Sequence, residues 1–179
     1  MPTHDIPAAS ASALTVRAAA AADENAIWQI LEPTIRAGET YTLPRDMTRE
    51  AALAYWFSSG HEVFVAQENA AAEKTAAILG TYFLHANQKG GGSHVANCGY
   101  ITAPHATGRG VARAICLHSL EHAKARGFRA MQFNFVVRSN ERAVQLWQSF
   151  GFDVVGRLPE AFLHPTLGYV DALVMFRKL

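Results

Sequence analysis

The stretch PHATGRGVARA, residues 104–114, limits the fold of this chain more than any other feature. Before it comes a β-prone run, residues 94–102 (HVANCGYIT). After it comes a run in which Val111, Ala114, Ile115 and His118 share one helical face, widened by Leu117 and Leu120. A glycine-rich passage from strand to helix exposes the first helical amides. These have no acceptor inside the helix and lie at the positive end of its dipole. Small residues let a ligand come close to that backbone. The stretch therefore predicts an anion site suited to phosphate, with the Arg109 side chain as a further charged contact. The same glycines also suit a tight turn and nothing more.

The rest of the chain supplies alternating element signals. Residues 14–18, 62–67, 76–86, 131–137, 154–158 and 169–176 read as strands, besides 94–102. Asp23 caps a first helix with Ala26, Ile27, Ile30 and Leu31 in period, which Pro33 disturbs. Thr48 caps a second, with Ala52, Tyr55 and Trp56 on one face. The helix after the glycine turn runs to about Arg126, where Gly127 stops it. Ser139 and Asn140 start a fourth with the stripe Ala143, Leu146, Trp147 and Phe150, and Gly151 ends it. Residues 38–44 (GETYTLP) form a loop, and residues 87–93 (NQKGGGS) form a hairpin loop. Gly99 inside its strand predicts a bulge or a close backbone approach. The order β-α-α-β-β-β-α-β-α-β-β gives an α/β fold, a mixed sheet with helices on its faces. One domain is expected over residues 14–179, after a disordered Ala-, Ser- and Pro-rich leader at residues 1–13.

Composition removes several functions. A net charge of +1 on 179 residues gives no broad basic face for nucleic acid. No apolar run reaches the ~20 residues that span a bilayer, and the N-terminus lacks the pattern of a signal peptide, so a cytoplasmic location is expected. The two cysteines, Cys98 and Cys116, lack metal-ligand spacing, and His118 and His122 alone are too few ligands, so no metal is expected. A dinucleotide fold does not fit either. In GRGVAR an Arg stands where the third glycine belongs, and the motif follows several strands, not the first. A P-loop needs a Lys-Ser/Thr pair that is absent.

The turn resembles the Q/R-x-x-G-x-G/A motif that follows the fourth strand in the GNAT superfamily of acyl-CoA-dependent N-acetyltransferases. It runs here from Thr107 through Gly108, Arg109, Gly110 and Val111 to Ala112, after Pro104. A second resemblance lies in Asn140 followed by Ala143, Leu146, Trp147, Phe150, Gly151 and Phe152. The family implies a mostly antiparallel mixed sheet, splayed between its fourth and fifth strands, with helices on both faces. It implies acetyl-CoA as co-substrate: Tyr100, Ile101 and Thr102 beside the pantetheine, the amides of residues 107–112 on the diphosphate, Asn140 on the pantetheine arm, and Gly99 in a bulge of the fourth strand. It further implies direct transfer through a tetrahedral intermediate, with the Tyr100 backbone N–H facing the oxyanion. Two positions depart from the pattern. Thr107 replaces Gln or Arg. Trp147 replaces a common Tyr that protonates the leaving thiolate; indole donates hydrogen bonds but is no general acid, and Trp147 reads as core.

The runs NCGY, FNFVVRSN and VDALVMFRKL are similar to fungal N-acetyltransferases acting on proline analogues such as azetidine-2-carboxylate. There, asparagines at the two matching positions bind or orient the substrate, which implies that role for Asn97 and Asn134. Polar amides in such apolar strands also need partners of some kind. Glu39 and Tyr41, in the loop that walls the acceptor site in this family, are further substrate candidates, and Glu62 is a candidate base. A water relay held by the asparagines needs no protein base. Cys98 reads as a buried thiol and not a nucleophile. The expected acceptor is a small amine or amino acid. The other readings are a protein N-terminus as acceptor and a non-catalytic acetyl-CoA-binding module. A homodimer is expected, with the apolar last strand (LVMF) as a vulnerable edge.

Overall fold

The structure is a computed structural model that describes residues 14–69 and 76–179; the leader at residues 1–13 lies outside them. Seven strands form one sheet: β1 (Leu14–Ala18), β2 (Glu62–Glu68), β3 (Ile78–Ala86), β4 (Val95–Thr102), β5 (Ala130–Val137), β6 (Asp153–His164) and β7 (Gly168–Lys178). Their order is β1-β2-β3-β4-β5-β7-β6. The four helices are α1 (Glu24–Ala37), α2 (Arg49–Trp56), α3 (Val111–Ala125) and α4 (Glu141–Ser149).

Side-chain alternation along β4 assigns the helices to two faces. Tyr100 points to α3, where its hydroxyl meets Ser119 Oγ at 2.7 Å, and its ring lies 4.9 Å from Trp147 of α4. Phe83, opposite Gly99 in the β3–β4 register, meets Trp56 of α2 at 4.8 Å. Apolar side chains fill both layers, including Ile27, Leu31, Trp56, Ile115 and Met131. Buried polar groups inside them are paired: Trp56 Nε1 donates to Thr81 Oγ1 (3.0 Å), which donates to Phe64 O (2.8 Å).

All neighbouring pairs are antiparallel except β4 with β5, which pair in parallel at only two positions, Val95 with Ala130 and Ala96 with Met131. Beyond those two rungs the strands separate. The expected splay is present, but the bulge is not where Gly99 suggested. β3 and β4 pair without a register shift from Gly80–Thr102 to Ala86–Ala96, while β5 shifts against β7 between Phe133 and Val136. Gly99 serves close approach instead. A Cβ there would lie 2.5 Å from Phe83 Cε1.

Two boundaries and the place of one strand also differ from the sequence reading. Helix α1 runs through Pro33 to Ala37; the proline is on the exposed side, and Ile35 continues the buried stripe beyond it. Strand β6 reaches His164 rather than Leu158, because bulges at Val154/Gly156 and Leu158/Phe162 break its alternation. The edge strands are β1 and β6, and the apolar β7 lies inside the sheet between β5 and β6.

Candidate active site

Where β4 leaves β5, half of its peptide groups lose a sheet partner. Ala103 N donates to Leu79 O and Val95 O accepts from Asn87 N, both at 2.8 Å, so odd-numbered residues of β4 face β3. Cys98, Tyr100 and Thr102 therefore turn their peptide groups toward the gap. Tyr41 donates its hydroxyl to Tyr100 O at 3.0 Å and leaves the Tyr100 N–H facing the gap. Burial pushes the Tyr41 hydroxyl far above its usual pKa, so it stays a donor at any physiological pH. Ile101 lines the gap, but its peptide groups face β3.

The gap opens into a cleft of about 960 Å³. On the α3 and α4 side it is bounded by the glycine turn. Gly108 and Gly110 have φ of +81° and +80°, which side chains rarely adopt, and nothing lies within 4 Å of where a Cβ would stand on either. The first helical bond is Ala114 N to Gly110 O (2.9 Å), so the amides of Val111, Ala112 and Arg113 have no acceptor within α3. Thr107 and Arg109 use their amides inside the turn, on Pro104 O (3.3 Å) and Ala106 O (3.2 Å). The Arg109 side chain corrects the sequence reading: it pairs with Glu68 and is not part of the cleft wall. Arg113 and Arg142 line the cleft instead. Asn140 caps α4 through its Oδ1, which accepts from Ala143 N at 3.3 Å, and its amide nitrogen remains for the cleft.

The other side is made of side chains: Tyr41, Tyr55, Phe83, Asn97 and Asn134 with the bare Gly99, besides the hydroxyls of Thr34, Thr40 and Thr42. Asn97 Nδ2 donates to Gln132 O at 2.8 Å and so ties β4 to β5 just past the last rung. Asn134 accepts from Gln132 Nε2 (2.8 Å) and donates to Asn87 Oδ1 (2.6 Å). Opposite Asn97 on β3, His85 bonds to it. Burial, reinforced by the neighbouring His61, holds the His85 pKa below its usual value.

The two predicted asparagines are thus brought to one wall. Glu39 is not: it is exposed and does not line the cleft. Glu62 lies elsewhere, bonded to His122 (2.8 Å) and Arg126 (2.9 Å). Among the described residues no carboxylate, imidazole or lysine lines the cleft. Cys98 does, but burial raises its thiol far above the usual range and keeps it protonated. Trp147 is buried against Tyr100 and Phe133, at 4.9 and 5.1 Å. Arg113 stands in the first turn of α3, a position that itself signals proximity to an anion. Tyr55 and Phe83 gave no sequence signal beyond core periodicity.

Residues 25–152 match the acetyltransferase (GNAT) family. The chain belongs to that family. It is therefore an acyltransferase, and acetyl transfer from acetyl-CoA is the family's reaction. Among curated proteins it is 28% identical over 151 residues to the N-acetyltransferase aca1 of Schizosaccharomyces pombe, covering 78% of this chain and 72% of that one. Among solved structures, a GCN5-related N-acetyltransferase from Kribbella flavida superposes with a TM-score of 0.87 at 44% identity, covering 95% of this chain and 100% of the other. The fold of yncA from Salmonella typhimurium, solved with its cofactor acetyl-CoA, is shared with a TM-score of 0.78 at 21% identity over 94% and 95% of the two chains.

Proposed function

We propose that this GNAT acetyltransferase transfers an acetyl group directly from acetyl-CoA to the nitrogen of a small amine or amino acid. The observation that carries the reading is the unpaired main chain of β4, set beside the free amides at the start of α3. Acetyl-CoA supplies an acetyl thioester and a diphosphate. The amides of Val111, Ala112 and Arg113, with the Arg113 and Arg142 guanidinium groups nearby, suit the diphosphate. The peptide groups of Thr102, which face the gap, suit an extended amide-bearing arm lying along β4 beyond its last pair with β5. Asn140 Nδ2 faces the same arm. The Tyr100 N–H, held in a wall of buried rings, suits the oxygen on which charge develops.

Asn97 and Asn134 hold the acceptor on the other side. With no side-chain base among the described residues of the cleft wall, the amine proton leaves through water held by these amides, or the amine enters neutral. The small acceptor is supported by the loop between α1 and α2. Thr40, Tyr41 and Thr42 cover the cleft there, and Tyr41 fastens the loop to β4, which leaves less room for a peptide. No carboxylate of the described residues lines the cleft, which disfavours polycationic acceptors.

No helix of the described residues is long and apolar enough to cross a membrane. The free thiols of Cys98 and Cys116 suit a reducing compartment, and on that ground we place the enzyme in the cytoplasm. We also propose a homodimer. Leu163, Leu167 and Tyr169 are 61 to 68% exposed at the turn of the β6–β7 hairpin, an apolar surface at the sheet edge that a second copy would cover. A monomeric mass in light scattering at micromolar concentration would overturn the dimer.

The test of the main reading is thermal unfolding with acetyl-CoA, with NAD and ATP as controls, followed by an amine screen. Acetyl-CoA at a hundred times its Kd adds about 2.7 kcal/mol of stability. No shift with acetyl-CoA would sink the donor assignment.

A further inference from the structure

Phe83 lines the cleft and is only 3% exposed. Its ring rests on the main chain of Gly99, where a Cβ would come within 2.5 and 2.6 Å of Cε1 and Cζ. The His61 imidazole stacks on the ring at 4.2 Å with an interplanar angle of 13°. Trp56 and Tyr55 meet it edge-on, at 4.8 and 6.0 Å. His61 is itself held, with Nδ1 3.0 Å from Trp56 O and its ring 4.6 Å from His85. A ring packed against main chain, a stacked ring and two edges has no free rotamer to adopt when a ligand presses on it. The wall it forms is fixed.

We infer that Phe83 is the residue that determines acceptor size: it sets the depth of the acceptor half of the cleft and admits only amines borne on a compact body. The inference rests on the acetyl-transfer reading above. Phe83 lies on the same face as Asn97, two pairs along the β3–β4 register, so a body whose nitrogen is near the Tyr100 N–H meets this ring next. Behind the ring stand His61 and His85. Removing the ring would deepen the pocket toward them and let in bodies as large as the ring removed.

The test is a competition in one tube between propylamine and benzylamine, each at the same concentration, with acetyl-CoA. Wild type, Phe83→Ala and Phe83→Leu are compared, and the product ratio is read by mass spectrometry. The ratio does not depend on what fraction of a variant is folded. Wild type should make mostly N-propylacetamide. The benzyl-to-propyl ratio should rise about tenfold or more in Phe83→Ala and by less in Phe83→Leu, the range a change of pocket volume produces. An unchanged or falling ratio in both variants overturns the inference, as does the absence of both products from all three proteins. The acetyl-CoA thermal shift is recorded on the wild-type sample. Its loss overturns the acetyl-transfer reading itself, whereas a normal shift with an unmoved ratio overturns the role of Phe83 alone.

Discussion

On its α3 side the cleft is bounded by main chain: two glycines with positive φ, three unbonded amides and a capped helix start. On its α1 and α2 side it is bounded by rings and side-chain amides drawn from β3, β4, β5 and the loop after α1. The first side is local in sequence and offers the same groups to any ligand with the same anion. The second is assembled from residues far apart in the chain, and each can change without disturbing the backbone. A common donor and a variable acceptor ask for that division.

The largest effect should come from the main-chain side. Gly110→Glu forces a side chain into a φ of +80° and places a carboxylate beside the free amides, so the acetyl-CoA thermal shift should vanish. A folded variant with wild-type affinity would break the comparison. On the other side, Asn97→Ala should lower kcat/KM for the amine about tenfold, the worth of a hydrogen bond or two, with little change in acetyl-CoA affinity. Equal losses for both substrates would mean that the two sides are not separable. Arg142→Ala should weaken acetyl-CoA binding about fivefold and leave acceptor selectivity alone, since the side chain is exposed and partly screened. Trp147→Tyr should change turnover by less than about twofold, because the buried position is a packing one. A large gain would show that a missing acid limits the wild type.

The smallest effect concerns pH. Burial lowers the pKa of His85 below its unfolded value of 6.5, so the unfolded chain binds the proton more readily. Stability is then full above pH 6.5 and declines as pH falls below it. The melting temperature should drop between pH 7 and 5, and His85→Gln should flatten that slope in part; an unchanged slope would show that this imidazole does not contribute.

The same division explains what was legible in the sequence. The glycine turn, the Asn140 cap and the stripe ending at Phe150 are each written in consecutive residues, and the seven strands and four helices follow from local periodicity. Asn97 and Asn134 were visible as polar residues in apolar strands. What the Arg109 side chain does was not, because Glu68 lies at the far end of a distant strand. Glu39 was drawn in by its neighbours and faces solvent. Phe83 looked like any core residue until the register set it against Gly99, and the edge strand was misjudged because apolar content does not reveal where a strand sits in a sheet.

The two-rung ladder between β4 and β5 has a consequence for exchange with solvent. A strand in the middle of a sheet normally protects every amide it carries. Here the odd-numbered amides of β4 are bonded to β3, while those of Tyr100 and Thr102 open on the cleft. Along one central strand, deuterium should therefore enter alternate positions at loop-like speed and leave the positions between them closed until the whole domain unfolds.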